Sequence, residues 1–303
     1  MQARSYVVYD VFTDAVLSGN PLAVVLDADG LDTQAMQRVA GEFNLSETVF
    51  VLPPENPAHR ARIRIFTPRV ELPFAGHPTV GAAIAIAEKG GKGRVEAGIL
   101  MLEENVGPVR CAVSHAEGKA YAEFDLPRLA EPVPFKALPE AVAAALGLGV
   151  HEIGFENHRI GAWSAGVPYV TVPVRGLAEA AKATLSSELW LELAPRQTEA
   201  VAAPYVYCRD TVHHDSTFHA RMFAPFDGIP EDPATGSAVA ALTGAIMVYD
   251  APVEGPSQFL IEQGIEMGRP SRIRLEVDVA GSRIVAARIG GPAVKAAEGT
   301  LFV

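Results

Sequence analysis

The sequence predicts an α+β protein of two pseudo-symmetric domains, each a β-barrel-like sheet wrapped around a central apolar helix. Three observations carry that expectation. A pattern occurs twice: Phe66-Thr67-Pro68 is followed by His77-Pro78-Thr79-Val80-Gly81-Ala82-Ala83, and Phe223-Ala224-Pro225 by Asp232-Pro233-Ala234-Thr235-Gly236-Ser237-Ala238. Each copy opens a run of small apolar residues with no charge until Glu88 in the first and Asp250 in the second. A helix without a polar face cannot lie on a surface, so both runs require enclosing strands. Finally, strand-like segments outnumber helical ones along the rest of the chain.

In the first half, Ser5 to Phe12, Ala23 to Leu26, Glu47 to Leu52, Ala61 to Phe66, Gly98 to Leu102, Val109 to Val113 and Lys119 to Phe124 read as strands. Asp32 caps a helix running to about Phe43, where Asn44 supplies the stop. The apolar helix is expected to start with His77 as N-cap and Pro78 at the first helical position, and to end near Gly90-Gly91. Pro127-Arg-Leu-Ala-Glu-Pro-Val-Pro134 reads as a linker. Beyond it, Lys136 to Leu146 is helical, Gly161 to Pro173, Pro204 to Arg209 and Ser216 to Phe223 are strand-like, and Asp232 caps the second apolar helix. Gly19-Asn-Pro-Leu has an echo in Gly166-Val-Pro-Tyr. With Phe66 answering Phe223 and His77 answering Asp232, the landmarks point to a duplicated unit with its ligand site in the cleft between the copies. The expected domains are residues 1–128 with a returning C-terminal strand 294–303, and residues 129–293.

A chain of 303 residues can bury two good cores. The net charge of -11 argues against a nucleic-acid or anionic-lipid partner, although it leaves room for a local anion site. The second apolar run, Pro233 to Tyr249, falls short of the roughly 20 residues of a membrane span and contains Thr235, Ser237 and Thr243. Cys111 and Cys208 form neither a disulfide framework nor a metal-ligand pattern and read as small buried residues. The N-terminal residues run directly into a strand without an apolar signal core, so a cytoplasmic location is expected.

Glu47 is the most suggestive ionisable group, because its carboxyl stands where a turn leads into an apolar strand. Desolvation there would raise its pKa toward the range in which one group both takes and gives a proton. His77 is a poorer cap than Asp232, and that exchange gives both side chains a role beyond ending a helix. Ser237 reads either as a packing residue or as a donor to ligand. His213, His214, Asp215 and His219 are the one cluster resembling metal ligands, but no Cys or Glu closes a known spacing. Gly147-Leu-Gly149 follows a helix and lacks the context of a dinucleotide fingerprint, and no Gly-x-Ser-x-Gly elbow occurs. Acid–base chemistry without metal or cofactor remains.

Gly19-Asn-Pro21, Asn44-Leu-Ser-Glu47, Phe66-Thr-Pro68, Glu71-Leu-Pro-Phe-Ala-Gly-His-Pro78, Glu231-Asp-Pro-Ala-Thr-Gly-Ser237 and Gln263-Gly-Ile-Glu-Met-Gly-Arg-Pro-Ser271 resemble the PhzF family of phenazine-biosynthesis isomerase-like proteins. The resemblance implies the diaminopimelate-epimerase fold, with the last strand returning to the first domain. It implies Glu47 as general base and then general acid, moving a proton along a conjugated cyclohexadiene amino acid. His77, Asp232 and Ser237 match the residues that assist the transfer, and Asn20, Ser46, Gly76, Thr235 and Gly236 match substrate-binding positions. Epimerases of this fold use one cysteine from each domain, whereas the helix-start motifs here carry His77 and Asp232, so two-thiol racemisation is not expected. The family also implies a homodimer. The expectation is therefore a cofactor-independent isomerase of a small carboxylate-bearing substrate, of the trans-2,3-dihydro-3-hydroxyanthranilate type. The alternatives are a non-catalytic small-molecule binding protein, or an epimerase or lyase, on the same scaffold.

Overall fold

The computed structural model describes residues 2–88, 97–116, 118–197 and 200–303. The expected end of the first apolar helix, at Gly90-Gly91, lies outside the described residues. Two compact units form, Met1–Pro127 together with Ile289–Val303, and Arg128–Arg288.

The first unit contains β1 (Ala3–Val11), β2 (Asn20–Val25), α1 (Thr33–Phe43), β3 (Glu47–Leu52), β4 (Ala61–Phe66), the two-residue β5 (Glu71–Leu72), α2 (Gly76–Glu88), β6 (Gly98–Glu104), β7 (Gly107–Ala116) and β8 (Lys119–Asp125). Most of these match the expected segments within a residue or two, because each carries either the alternating or the fully apolar strand pattern. Among the described residues, β1, β2, β3, β4, β6, β7 and β8 and the last strand of the chain close a ring of eight. In that ring β2 runs parallel to β3 and β4 parallel to β6, and the last strand pairs with both β8 and β1.

Inside the ring lies α2, touching β1, β2, β3, β4, β7 and β8, with every residue from Gly76 to Ala87 buried. Outside it lies α1, whose Met36, Val39 and Ala40 pack with Val25, Phe50 and Phe66. Because strand side chains alternate, Phe50 faces α1 while Glu47 and Val49 face the interior. The expected caps of α1 are present: the Asp32 carboxylate accepts from Ala35 N at 2.7 Å, and Asn44 closes the helix in the left-handed region.

The second unit begins with β9 (Glu131–Pro132), α3 (Pro139–Ala145), β10 (Gly161–Ser164) and β11 (Pro168–Pro173). It continues with α4 (Leu177–Lys182), α5 (Ser187–Leu193), the small pair β12 (Arg196–Gln197) and β13 (Ala200–Val201), and β14 (Ala203–Cys208). Then come β15 (Phe218–Ala224), β16 (Ile229–Asp232), α6 (Gly236–Tyr249), β17 (Gly255–Gln263), β18 (Ser271–Ala280) and β19 (Arg283–Phe302). Strands pair in the order β9, β10, β11, β14, β15, β17, β18, with β16 added on β15. On this sheet α6 touches β9, β10, β11 and β18. Gly244 is required by that packing, since a Cβ there would sit 2.3 Å from the Trp163 ring. No helix is long and apolar enough to cross a membrane among the described residues.

Three expectations need correction. The segment from Lys136 becomes helical only at Pro139, since proline disfavours the helical conformation in the residue before it. The predicted linker is partly recruited into the sheet, Glu131 pairing with Ser164 and Pro132 with Trp163. The stretch Gly161 to Pro173 is a hairpin broken near Gly166. Strand β19 runs uninterrupted across the boundary between the units at Arg288 and Ile289.

The register of the duplication also differs from the sequence reading. Helix α2 begins at Gly76 and α6 at Gly236, so His77 answers Ser237, and Asp232 answers Leu72. Independent landmarks agree. Arg64 donates through Nε and Nη2 to both Glu71 oxygens, and Arg221 does the same to Glu231. Arg64 lies over Phe66 and Arg221 over Phe223. The copies contain loops of different length between these landmarks, which hid the true alignment.

Leu242 on α6 is fully buried, whereas Val248 on the same helix is 56% exposed. Leu242→Ala should therefore cost about 2–5 kcal/mol in urea denaturation, and Val248→Ala should stay within about 0.5 kcal/mol of the parent.

Candidate active site

In the first unit, three expected residues converge at the start of α2. Gly19 turns the chain with φ +64°, where a Cβ would meet Val11 O at 2.3 Å, and so delivers Asn20 to the first position of β2. Left-handed Asn44 ends α1 and leads through Ser46 to Glu47, the first residue of β3. Because β2 and β3 are parallel, with Leu22 opposite Glu47, Asn20 and Glu47 stand at the same end of neighbouring strands. Gly76 opens α2, and His77 follows inside its first turn.

His77 is therefore not the N-cap. The Ala75 carbonyl accepts from Thr79 N, so proline falls after the first helical position. Its imidazole is held between the two strand ends: Asn20 Nδ2 lies 3.2 Å from His77 Nδ1, and His77 Nε2 lies 3.4 Å from Glu47 Oε2. An amide N–H can only donate, so Nδ1 is the acceptor and the ring proton resides on Nε2, facing the carboxyl group. All three side chains are buried, Asn20 completely, His77 to 3% exposure and Glu47 to 8%. Burial pushes the His77 pKa down to about 3, so the ring stays neutral at physiological pH. The neutral imidazole packs beside the carboxyl without contributing a positive charge, and the 3.4 Å approach is not aligned as a hydrogen bond. Glu47 is left as the group able to exchange a proton.

In the second unit, Asp232, Thr235, Gly236 and Ser237 gather at the start of α6. Asp232 is the last residue of β16 and not the N-cap; that position falls to Thr235, whose side chain makes no capping bond. The reason is Gln263, which binds the intervening segment in place of a helical turn. Its Nε2 donates to Asp232 O at 2.8 Å and to Thr235 Oγ1 at 2.9 Å, while its Oε1 accepts from Thr235 N at 3.3 Å and from Tyr205 OH at 3.2 Å. Thr235 Oγ1 in turn donates to Asp232 Oδ2 at 2.6 Å. Ser237 Oγ is 2.7 Å from the Tyr169 hydroxyl.

Sequence reasoning assigned no role to Tyr169 or Gln263. Tyr169 stands in the echo of Gly19-Asn-Pro-Leu and Gln263 at the head of the motif Gln263 to Ser271, but only the fold brings them to α6.

The histidine cluster does not assemble. His219 Nδ1 lies 3.0 Å from Glu262 Oε1 and Nε2 lies 2.8 Å from Glu266 Oε1, an ion pair on both sides of the ring. Burial opposes the charge, but the two carboxylates prevail and raise the pKa to about 9. Among the described residues no group of His, Cys, Asp and Glu side chains is arranged to hold a metal ion. Both cysteines are buried thiols, with the Cys208 pKa pushed up to about 12 by burial.

The family model described as phenazine biosynthesis-like protein, PhzC-PhzF, matches residues 9–299. An uncharacterized isomerase of Mesorhizobium japonicum is 64% identical, with the whole of both chains covered. The trans-2,3-dihydro-3-hydroxyanthranilate isomerase of Pseudomonas aeruginosa is 36% identical, over 98% of this chain and 99% of the relative. The crystal structure of a Bacillus anthracis phenazine biosynthesis protein of the PhzF family superposes with a TM-score of 0.88 at 27% identity, covering both chains completely. With the match spanning nearly the whole chain, the protein belongs to the PhzF family of phenazine biosynthesis-like proteins and is an isomerase.

Proposed function

We propose that this isomerase works without a cofactor, moving a proton on a small carboxylate-bearing substrate of the trans-2,3-dihydro-3-hydroxyanthranilate type, with Glu47 as the proton carrier. The observation that supports it most is the buried Asn20–His77–Glu47 chain, which fixes a carboxyl beside an imidazole that stays neutral. The name of the Pseudomonas aeruginosa relative supplies the substrate type.

In this reading the Glu47 carboxylate removes a proton from the substrate carbon. The electron pair left on that carbon moves through the conjugated double bonds, and the Glu47 acid returns the proton at the far end. His77 Nε2 lies 3.4 Å from Glu47 Oε2 and, being neutral, keeps the carboxyl in place without pairing it with a fixed cation, which suits a group that must both take and give a proton. The backbone N–H groups at a helix start favour an anion, which assigns Gly76 and Gly236 to holding acidic substrate groups. Ser46 flanks the base, and Asp232, Thr235 and Ser237 act on the substrate's polar groups in the same proposal.

Glu47→Gln keeps the size of the side chain and one acceptor oxygen but cannot carry the proton, so kcat should fall by about 10²–10⁴-fold. An unchanged kcat would end the proposal. In heavy water the wild type should place solvent deuterium in the product, and a substrate deuterated at the donor carbon should retain part of its label, as one buried carboxyl returns what it took. A binding protein would show neither effect. Asp232→Asn and Ser237→Ala should each lower kcat/KM by at least about tenfold, the scale of a lost hydrogen bond to the transition state, measured by initial rates on the same substrate.

A further inference from the structure

The two units carry the same buried position with different side chains. Ala61 pairs with Leu102 in the first unit as Phe218 pairs with Ile261 in the second, which makes Glu104 the counterpart of Gln263. The preceding residues confirm the match: Glu103 accepts from Glu55 N, Asn56 N and His59, and Glu262 accepts from Val212 N, His213 N and His219. Gln263 is a neutral clamp on the chain leading into α6. Glu104 approaches α2 from the same strand end.

Its surroundings are those of a neutral acid. Thr79 Oγ1 lies 2.7 Å from Ala75 O and 2.9 Å from Glu104 Oε1. A hydroxyl has one proton and the Ala75 carbonyl has none, so a second full hydrogen bond at Thr79 needs a proton from Glu104. Glu104 Oε2 is buried with no hydrogen-bond partner among the described residues, and the residue as a whole is 7% exposed. An ionised carboxylate so placed would have no cation beside it. From β7 the Cys111 thiol faces it, itself held neutral by burial, and α2 presents Thr79. On the β4 side, Glu55, His59, Arg62, Glu103 and Glu104 line one surface depression, in which Arg62 pairs with Glu55 and His59 with Glu103. Burial pushes the Glu104 carboxyl up to about 8.

We propose that Glu104 is a positioning residue that, as an uncharged acid standing in for glutamine, ties Thr79 to the start of α2 and keeps Gly76 and His77 free to receive an anionic substrate group. Once Glu104 loses its proton, a negative charge lies under the same helix turn and opposes the substrate anion. The proposal rests on the reading of α2 as part of the substrate site.

The test compares wild type, E104Q and E104A by carboxyl ¹³C NMR titration, by KM for trans-2,3-dihydro-3-hydroxyanthranilate, and by calorimetric binding of anthranilate, a carboxylate probe that needs no turnover. The wild type should show one carboxyl, absent in E104Q, that titrates near pH 8. Its KM and anthranilate Kd should rise about tenfold between pH 7 and 9.5 while kcat moves little. E104Q should remove that alkaline rise and keep the low KM at pH 7 that E104A loses. The folded acid resists ionisation, so stability is lost as pH rises from about 4.5 toward 8; E104Q should melt progressively higher than wild type across that window. A Glu104 titration near 4, the same alkaline rise in E104Q, or no anthranilate binding by the wild type would overturn the proposal. Binding of anthranilate without any turnover would sink the isomerase reading instead and leave the Glu104 comparison standing.

Discussion

The structure depends on enclosing helices that have no polar face. From Gly76 to Ala87 every residue of α2 is buried, and water cannot serve any side of it. A closed ring of strands meets that demand, because it leaves no unpaired edge and presents a continuous apolar lining. The helix still carries polar groups at its ends, and at its start the first N–H groups have no partner within the helix. Chemistry gathers there for that reason: Asn20 and Glu47 begin the two parallel strands that frame this end, and His77 completes the group from the helix itself.

Duplication supplied two copies of the enclosure, and divergence separated their tasks. The structural parts are retained, as shown by the paired Arg64–Glu71 and Arg221–Glu231 bridges and by the two glutamates that collect backbone donors. The chemical positions differ. Tyr169 pairs with Ala203 as Leu22 pairs with Glu47, so the counterpart of Glu47 in the second unit is an alanine. His77 is answered by Ser237 and Glu104 by Gln263. The two helix starts are therefore chemically unlike, a carboxyl and an imidazole in the first unit and hydroxyl and amide groups in the second.

Buried charge is treated in two ways within the same fold. His219 is kept cationic by carboxylates on both ring nitrogens, and Arg221 is fixed by Glu231 and by the carbonyls of Ala180 and Ala183. These groups are fully answered and serve as structure. Around α2 the opposite holds. His77 is made neutral by burial, and Glu104 is pushed toward neutrality by the same cause.

The sequence alone determined the class, the enclosed helices and the limits of most strands in the first unit, because those follow from local pattern: period-two alternation, uncharged runs, and the Asp32 and Asn44 caps that needed no distant partner. Glu47 was visible for the same reason, as a lone carboxyl leading into an apolar strand. What only the tertiary structure decided was which residues meet. The repeat was read five residues out of register, setting Asp232 against His77, because proline after a polar residue looks like a helix start in either place. The choice was made by Gln263, a side chain 31 residues beyond Asp232 in the chain that binds the segment before α6 and delays the helix to Gly236. Tyr169, Gln263 and Glu104 share that origin: each matters through a hydrogen bond to a residue far along the chain, and no local pattern encodes such a contact.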